Sequence, residues 1–444
     1  MKKQDNPVFI FGVLTVAVFI IIAASIYFPG CNKVLGAVPK PVQSKSAQND
    51  LPTFLVLSDI HLHASLVQAD IPNGAADTGH DLWDTTQNKI ERLLAGKEGF
   101  APPKFIIVLG DLPWHAKAEI KEDLESARHN SGQVLHDLRI MAETAHIPLI
   151  YVPGNNDPWD GDYHAFSTKI FEKDAACKTC WPLIHPKPAD RATEEARIID
   201  DSKLSLGCYS AYPLGKKGKL RVIALNTTIF SHKYTDQGNQ SVDATAQINW
   251  LAGQLEQAAK ENEQVLICMH IPPGLDGFKK KDFWHKTTLN NGTPVENAFL
   301  DLIDKYHDRI VGLLSSHTHM DGIRKLYNRS GKLSAVDISL PGITPGHGNN
   351  PGIKIISYNP ANFELQNFTT LYMPFFPDKK VVSWGNNEFY FRTEFGCPIG
   401  TSIRSCLDTL KTETLQKAVQ TIYKVKNGLG NADEVNSAIE VRYE

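Results

Sequence analysis

Asp59-Ile60-His61, placed directly after the apolar run Phe54-Leu55-Val56-Leu57, is the stretch from which the fold can be read. Four further runs end in the same way. Phe105-Ile-Ile-Val-Leu109 leads into Gly110-Asp111, and Leu149-Ile-Tyr-Val152 leads into Gly154-Asn155-Asn156-Asp157. Val265-Leu-Ile-Cys268 leads into Met269-His270, and Ile310-Val-Gly-Leu-Leu314 into His317-Thr318-His319. Short apolar runs without alternation are typical of parallel strands buried on both faces. In open α/β sheets the ligand site lies beyond the carboxyl ends of such strands. Asp, His and Asn delivered to that edge by strand after strand predict an α/β protein with a two-metal hydrolytic site.

The ligand types set the chemistry. Carboxylate oxygen and imidazole nitrogen suit hard or borderline ions such as Zn, Mn and Fe. Seven residues recur in order: Asp59, His61, Asp111, Asn155, His270, His317 and His319. Two divalent ions about 3.5–4 Å apart need a shared ligand. Asp111 is the natural bridge, because it lies midway in the order and follows a glycine that permits close approach. Asp59, His61 and His319 complete one ion, and Asn155, His270 and His317 the other. A hydroxide between the two ions is the expected nucleophile.

Around these motifs the chain of 444 residues is ordinary in composition, with a formal net charge of -3. It carries no basic stripe interleaved with aromatics, so nucleic-acid binding is not expected. Lys2 and Lys3 precede an uncharged apolar run from Val8 to Phe28, about long enough to span a bilayer. Residues 1–28 therefore read as a signal anchor, with the catalytic part on the extracytoplasmic side, in periplasm, lumen or cell exterior. A cleaved signal, and hence a secreted protein, is the alternative. Residues 29–50 read as a linker, 51–375 as the catalytic domain and 376–444 as a C-terminal helical extension. Helices are expected over 88–94, 124–145, 246–261 and 402–426. Export permits disulfides: Cys397 and Cys406 can pair, and Cys177, Cys180 and Cys208 offer one further pair.

The five motifs together resemble the calcineurin-like metallophosphoesterase superfamily, and their neighbours resemble its acid sphingomyelinase-like phosphodiesterase branch. Gly110-Asp111-Leu-Pro-Trp-His115 is similar to that branch's Gly-Asp-x-Pro-x-His segment, and His270-Ile-Pro-Pro-Gly274 to its His-x-Pro-Pro-Gly turn. Leu225-Asn226-Thr227 and Gln247-Ile-Asn-Trp250-Leu251 resemble the strand end and helix that precede the metal-binding histidine. The resemblance implies a four-layer α/β/β/α metallophosphoesterase sandwich, here with a C-terminal helical extension and an N-terminal transmembrane helix. It also implies phosphodiester or phosphoanhydride hydrolysis at two divalent ions, zinc first and manganese or iron as alternatives.

His115 takes the general acid role by that resemblance, since an imidazole can protonate a departing oxygen. Asn156, Asp157 and His164 are the expected substrate-binding residues, with Tyr163 beside them on the rim. His232, Tyr234 and His347 are further candidates, and Lys233 with Lys279 to Lys281 can supply cations to a polyanion. Two positions depart from the branch. Asn156 stands where sphingomyelin-cleaving members carry His, which makes Gly-Asn-Asn-Asp closer to endopolyphosphatases. Ser316 stands where a Gly is usual, a change that is tolerable if the backbone there does not need positive φ. No saposin-like module is expected ahead of residue 51. The expected substrate is a small exported nucleotide, with polyphosphate and a phosphocholine ester as alternatives. A membrane-tethered binding protein without activity is the reading of a different class.

Overall fold

The computed structural model describes residues 51–71, 76–185, 196–215, 219–277, 280–284, 286–376, 382–429, 435 and 439–443. The expected signal anchor and linker lie outside these residues, as does Lys279. Among the described residues no helix is long and apolar enough to cross a membrane.

The first half of the chain forms β1 (Thr53–Leu57), α1 (His80–Leu94), β2 (Ile106–Val108), α2 (Lys121–Ala145), β3 (Leu149–Tyr151) and β4 (Leu183–Ile184). β5 (Arg197–Lys203), β6 (Cys208–Tyr212), β7 (Leu220–Leu225), α3 (Gln240–Glu261) and β8 (Gln264–Met269) follow. A short ribbon, β9 (Leu275–Asp276) and β10 (Lys281–Asp282), precedes α4 (Val295–Lys305) and β11 (Ile310–Ser315). Then come β12 (Gly322–Tyr327), β13 (Leu333–Ser339), β14 (Gly352–Tyr358), β15 (Leu365–Tyr372) and β16 (Glu388–Tyr390). The chain ends in α5 (Phe391–Phe395), α6 (Ile403–Thr409), α7 (Thr412–Ile422) and β17 (Glu440–Val441).

Two mixed sheets result, in the orders β16-β15-β14-β1-β2-β3-β4 and β17-β12-β13-β11-β8-β7-β6-β5. β1, β2 and β3 are parallel, and so are β7, β8, β11 and β13. Antiparallel strands flank both sets.

Strand periodicity shows the layers, because successive side chains point to opposite faces. Phe54 and Val56 of β1, with Ile107 of β2, pack against Val222, Leu266 and Leu314 of the other sheet in one buried cluster. Leu55, Leu57, Ile106 and Val108 face the other way, onto Trp83 and Ile90 of α1 and Val134 and Leu138 of α2. Ile223, Val265, Ile267 and Leu313 face outward from the second sheet onto Ile248 and Leu251 of α3 and Phe299 of α4. Helices, sheet, sheet and helices are thus stacked in four layers, as an α/β sandwich requires.

The C-terminal part differs from expectation. The stretch read as one helix over 402–426 is two, α6 and α7, with Leu410 and Lys411 in extended conformation between them. The break lets α6 pack on β13 and β15 while α7 packs on α5 and β12. Residues after 376 also add a strand to each sheet, β16 beside β15 and β17 beside β12. Cys397 pairs with Cys406 and Cys177 with Cys180, while Cys208 and Cys268 are buried free thiols.

Candidate metal centre

The loops after β1, β2, β3, β8 and β11 bring the seven expected ligands to one place between the carboxyl ends of the two parallel strand sets. His61 Nε2 lies 3.5 Å and His270 Nε2 3.1 Å from Asp111 Oδ2. Asp59 Oδ1 lies 3.8 Å from His270 Nε2 and 3.6 Å from His319 Nε2. Ligand atoms of Asp59, His61 and Asp111 cluster within 4.8 Å of one another, and so do those of Asp111, His270 and His317. Asp111 belongs to both groups, which is the position a bridging carboxylate needs. Asn155 lines the same cavity as Asp111, His317 and His319.

The backbone is bent to achieve this. Asp59, His61, Asp111, His317 and His319 all have left-handed φ, between 46° and 70°. Non-glycine residues adopt that region seldom and at a cost of about 1–3 kcal/mol each, and they cluster at functional sites. Ser316 is absent from that set, so the family's glycine is not needed there. Gly110 is needed: its φ is +79°, and a Cβ on it would stand 2.1 Å from Gly154 N. A Cβ on Gly154 would in turn stand 2.2 Å from Asp111 Oδ1.

Buried polar atoms are normally hydrogen-bonded. Here both Asp59 carboxylate oxygens, His61 Nε2, Asn155 Oδ1, His270 Nε2 and His319 Nδ1 are buried without a hydrogen-bond partner. The other ring nitrogens of two histidines are committed: His61 Nδ1 lies 3.0 Å from Pro113 O and His270 Nδ1 2.6 Å from Leu109 O. Such backbone contacts fix the tautomer and leave Nε2 for a metal. Asn155 donates Nδ2–H to Asp162 Oδ1 at 2.7 Å, which turns its Oδ1 to the same space. Oxygen and nitrogen donors left unsatisfied in one buried cluster fit a pair of divalent cations. The calcineurin-like phosphoesterase family matches residues 52–321.

The chain belongs to that family.

It is distantly related to the acid sphingomyelinase-like phosphodiesterases. The mouse acid sphingomyelinase-like phosphodiesterase 3b is 29% identical over 37% of this chain and 37% of its own length. The rat cyclic GMP-AMP phosphodiesterase SMPDL3A is 25% identical over 61% of this chain and 57% of its own. The chain thus spans less than two thirds of the length of these relatives. A dimetal phosphatase from Danio rerio aligns in structure over 77% of this chain and 98% of its own, at 14% identity and a TM-score of 0.45.

The electrostatics of this phosphoesterase site follow from its burial. Burial raises the Asp59 carboxyl to about 7 and lowers His61 to about 3. Burial likewise takes His317 and His319 well below the ordinary imidazole value. For Asp111 burial opposes ionisation, but the His270 imidazole outweighs it and holds the carboxyl far below the carboxylate range. For His270 burial opposes protonation, and Asp111 outweighs it, raising the imidazole to about 9. A divalent cation held by these two residues would take the place of that proton.

Asp111, Asn155, His317 and His319 of the candidate set line a cavity of about 420 Å³. His115 lines it, its ring stacked on His61 at a 4.1 Å centroid distance. Asp77, which the sequence reading did not single out, accepts from His115: Nδ1 lies 2.7 Å from Asp77 Oδ1, and the backbone N 3.2 Å from Oδ2. Burial would lower the His115 pKa, but the Asp77 hydrogen bond and charge outweigh it and raise the value.

Asn156 also lines the cavity, and its Nδ2 and backbone N both donate to Asp111, at 2.9 and 2.8 Å. Asp157 corrects the expectation of a rim residue. Its carboxylate is buried and accepts from the backbone N–H of Asp111, Leu112 and Gly154 and from Tyr151 Oη, so it braces the bridging loop from below. His164 is half-buried and is not among the residues lining the cavity. Tyr163 and His347 are, the latter stacked on His319 at 4.1 Å. Tyr423 and Lys424, just beyond α7, complete that wall. A second chamber of about 280 Å³ adjoins the first and shares Tyr163, Lys233, Asp276, Phe283 and His317 with it.

Proposed function

We propose that this phosphoesterase hydrolyses phosphodiester or phosphoanhydride bonds of a small nucleotide-type substrate. The observation that carries the reading is a cavity with the ligand cluster at its base and an aspartate-held histidine, His115, in its wall. Asp59, His61, His319 and Asp111 would hold one ion, and Asp111, Asn155, His270 and His317 the other, with Asp111 common to both sets. Two bound ions supply charge neutralisation at the phosphoryl oxygens and a nucleophile at neutral pH. Zinc fits the His-rich donor set, with manganese or iron as alternatives.

The chain's own residues do the rest. Asn156 fixes the orientation of Asp111 through both of its hydrogen bonds. Asp77 takes Nδ1 of His115, which leaves Nε2 as the proton-bearing edge toward the cavity. Water gives one proton to solvent, and its oxygen bonds to phosphorus as the bond from phosphorus to the leaving oxygen breaks. The electron pair stays on that oxygen, which takes the Nε2 proton of His115, and solvent restores that proton.

Several features favour a nucleotide over polyphosphate. In the second chamber, Lys233, Lys281 and His232 are interleaved with Asp276 and Asp282. Those two carboxylates oppose a continuous polyanion track, whereas mixed donors and acceptors beside Tyr163 and Phe283 suit a nucleoside. A related protein named for cyclic GMP-AMP hydrolysis supports the same class. The two disulfides fit an oxidising compartment. We place the catalytic part outside the cytoplasm on that ground, tethered by residues 1–28 or released from them.

The purified chain, with and without added Zn or Mn, is to be assayed on bis-p-nitrophenyl phosphate, ATP, polyphosphate and sphingomyelin. Metal-dependent cleavage of the aryl ester and of the nucleotide is expected. Preferred turnover of polyphosphate or sphingomyelin moves the substrate class. No bound metal and no turnover of any of them favours a binding protein. His115→Ala is expected to slow poor leaving groups by about 10²-fold or more and the activated aryl ester much less.

A further inference from the structure

The candidate ligands come from both sheets. Asp59, His61, Asp111 and Asn155 follow β1, β2 and β3 of the first, while His270, His317 and His319 follow β8 and β11 of the second. The span of the cluster therefore depends on how the two sheets are joined at that end. On the His270 side the join is direct, because His270 Nδ1 lies 2.6 Å from the carbonyl of Leu109, which follows β2. No such contact holds the His319 ring, whose Nδ1 is buried without a hydrogen-bond partner. The chain that carries His319 must place it, with Nε2 3.6 Å from Asp59 Oδ1 and the ring 4.9 Å from that of His61.

That chain is anchored two residues later. Asp321, which precedes β12 of the second sheet, is 0% exposed, and so is Lys354 of β14 in the first. Lys354 Nζ donates to Asp321 Oδ2 at 2.5 Å and to Thr370 Oγ1 of β15 at 2.7 Å. The Thr370 hydroxyl donates to the same carboxylate oxygen at 2.7 Å, and the Lys354 ammonium lies 3.9 Å from the ring centroid of Phe368. Lys354 is the register partner of Val56, three residues before Asp59, on the face that meets the other sheet. The pair thus crosses from sheet to sheet just inside the end where the ligands emerge.

Stability is a poor reason for such a pair. Desolvation offsets most of its attraction, and apolar residues of similar volume in its place are often as stable or more so. Apolar contact is non-directional, however, whereas a hydrogen-bonded pair fixes distance and angle. We propose that Lys354 and Asp321 are positioning residues: they fix the first sheet to the chain just beyond His319, set that imidazole against Asp59 and His61, and so raise the affinity for the ion those three would hold. The inference rests on the hydrolytic reading above and deepens it, giving one of the two ions a support outside its ligands.

The test uses the purified chain with Lys354→Met and Asp321→Asn together, which removes both charges and leaves neither stranded. Zinc affinity of the chelator-stripped protein is read by competition with a chromophoric chelator, and stability of the same metal-free protein by urea unfolding. Wild type is expected to bind two ions. The double variant is expected to keep the wild-type urea midpoint and one tight site, and to bind the second ion about tenfold or more weakly. His319→Ala weakens that ion by itself. Adding the double variant to it is then expected to change the affinity by less than about twofold, because the ring being positioned is gone. Unchanged affinity at both sites of the double variant overturns the proposal. So does a double variant that fails to fold or loses both ions alike, since the pair is then an element of stability. A further tenfold loss in the His319→Ala background overturns it as well. A wild type that binds no zinc overturns the hydrolytic reading and the inference with it.

Discussion

His115 and Asp77 meet twice, through the imidazole Nδ1 at 2.7 Å and through the backbone N–H at 3.2 Å. One carboxylate thus fixes both the ring and the chain that carries it. Asp77 outweighs burial and raises the His115 pKa above its ordinary value. A general acid acts in its protonated form, present below its pKa, so a raised value extends activity toward higher pH. Asp77→Asn removes that support. We expect the alkaline limb of the kcat/KM profile to move to lower pH, with about a tenfold or greater loss on poor leaving groups. A profile that superimposes on wild type would show that Asp77 does not hold the acid.

Ser316 stands where the family pattern has glycine, and the structure gives the hydroxyl a use. Its Oγ lies 2.9 Å from Nδ1 of His270, on the ring edge opposite the proposed metal. Partners on that edge orient a ligating imidazole, and their loss costs about 10–100-fold in metal affinity. Ser316→Ala is therefore expected to weaken binding of the ion held by His270 within that range, read by competition with a chromophoric chelator. Ser316→Gly should match it, because no positive φ is relieved.

The seven candidate ligands are legible because each follows a strand whose apolar run is local and unmistakable, and the structure brings them together. The runs alone indicate parallel strands, and the four-layer stacking comes from the family resemblance. Asp77 was not legible. It sits in a polar loop with no run before it, and it reaches His115 only because Leu62 bridges both Thr78 and Pro113 in the folded chain. Asp157 was misread for a related reason. Its neighbours Asn155 and Asn156 line the cavity, but the turn points its carboxylate down into three backbone N–H groups. Tyr423 and Lys424 lie more than a hundred residues beyond the last motif, and hydrogen bonds from Asn350 and Asp321 to the chain around them hold that segment at the cavity.

The Cys397–Cys406 bridge ties α6 to the loop before it, with nine residues of separation. Closing so short a loop is worth about 2–3 kcal/mol in the chain-entropy account. The Cys397→Ser, Cys406→Ser double variant is expected to lose about that much in urea unfolding. Reductant should then bring the wild type toward the variant and leave the variant where it is.

Removing the metal gives the last prediction, and its sign can be worked out. In the metal-free site Asp111 outweighs burial and raises His270 to about 9, while the unfolded imidazole titrates near 6.5. A raised imidazole contributes stability that is full below about 6.5 and is lost as pH rises through about 9. The chelated protein should therefore lose stability between pH 7 and 9. Metal binding must displace the same proton, so apparent affinity should rise about tenfold per pH unit over that window. Asp59, raised to about 7 by burial, adds a second proton to be displaced only below that pH. Calorimetric titrations with Zn or Mn in buffers of different ionisation enthalpy count the protons directly. At pH 8 the His270 proton is expected on top of the one lost by the water that becomes the nucleophile, and none released there would place His270 outside the metal centre.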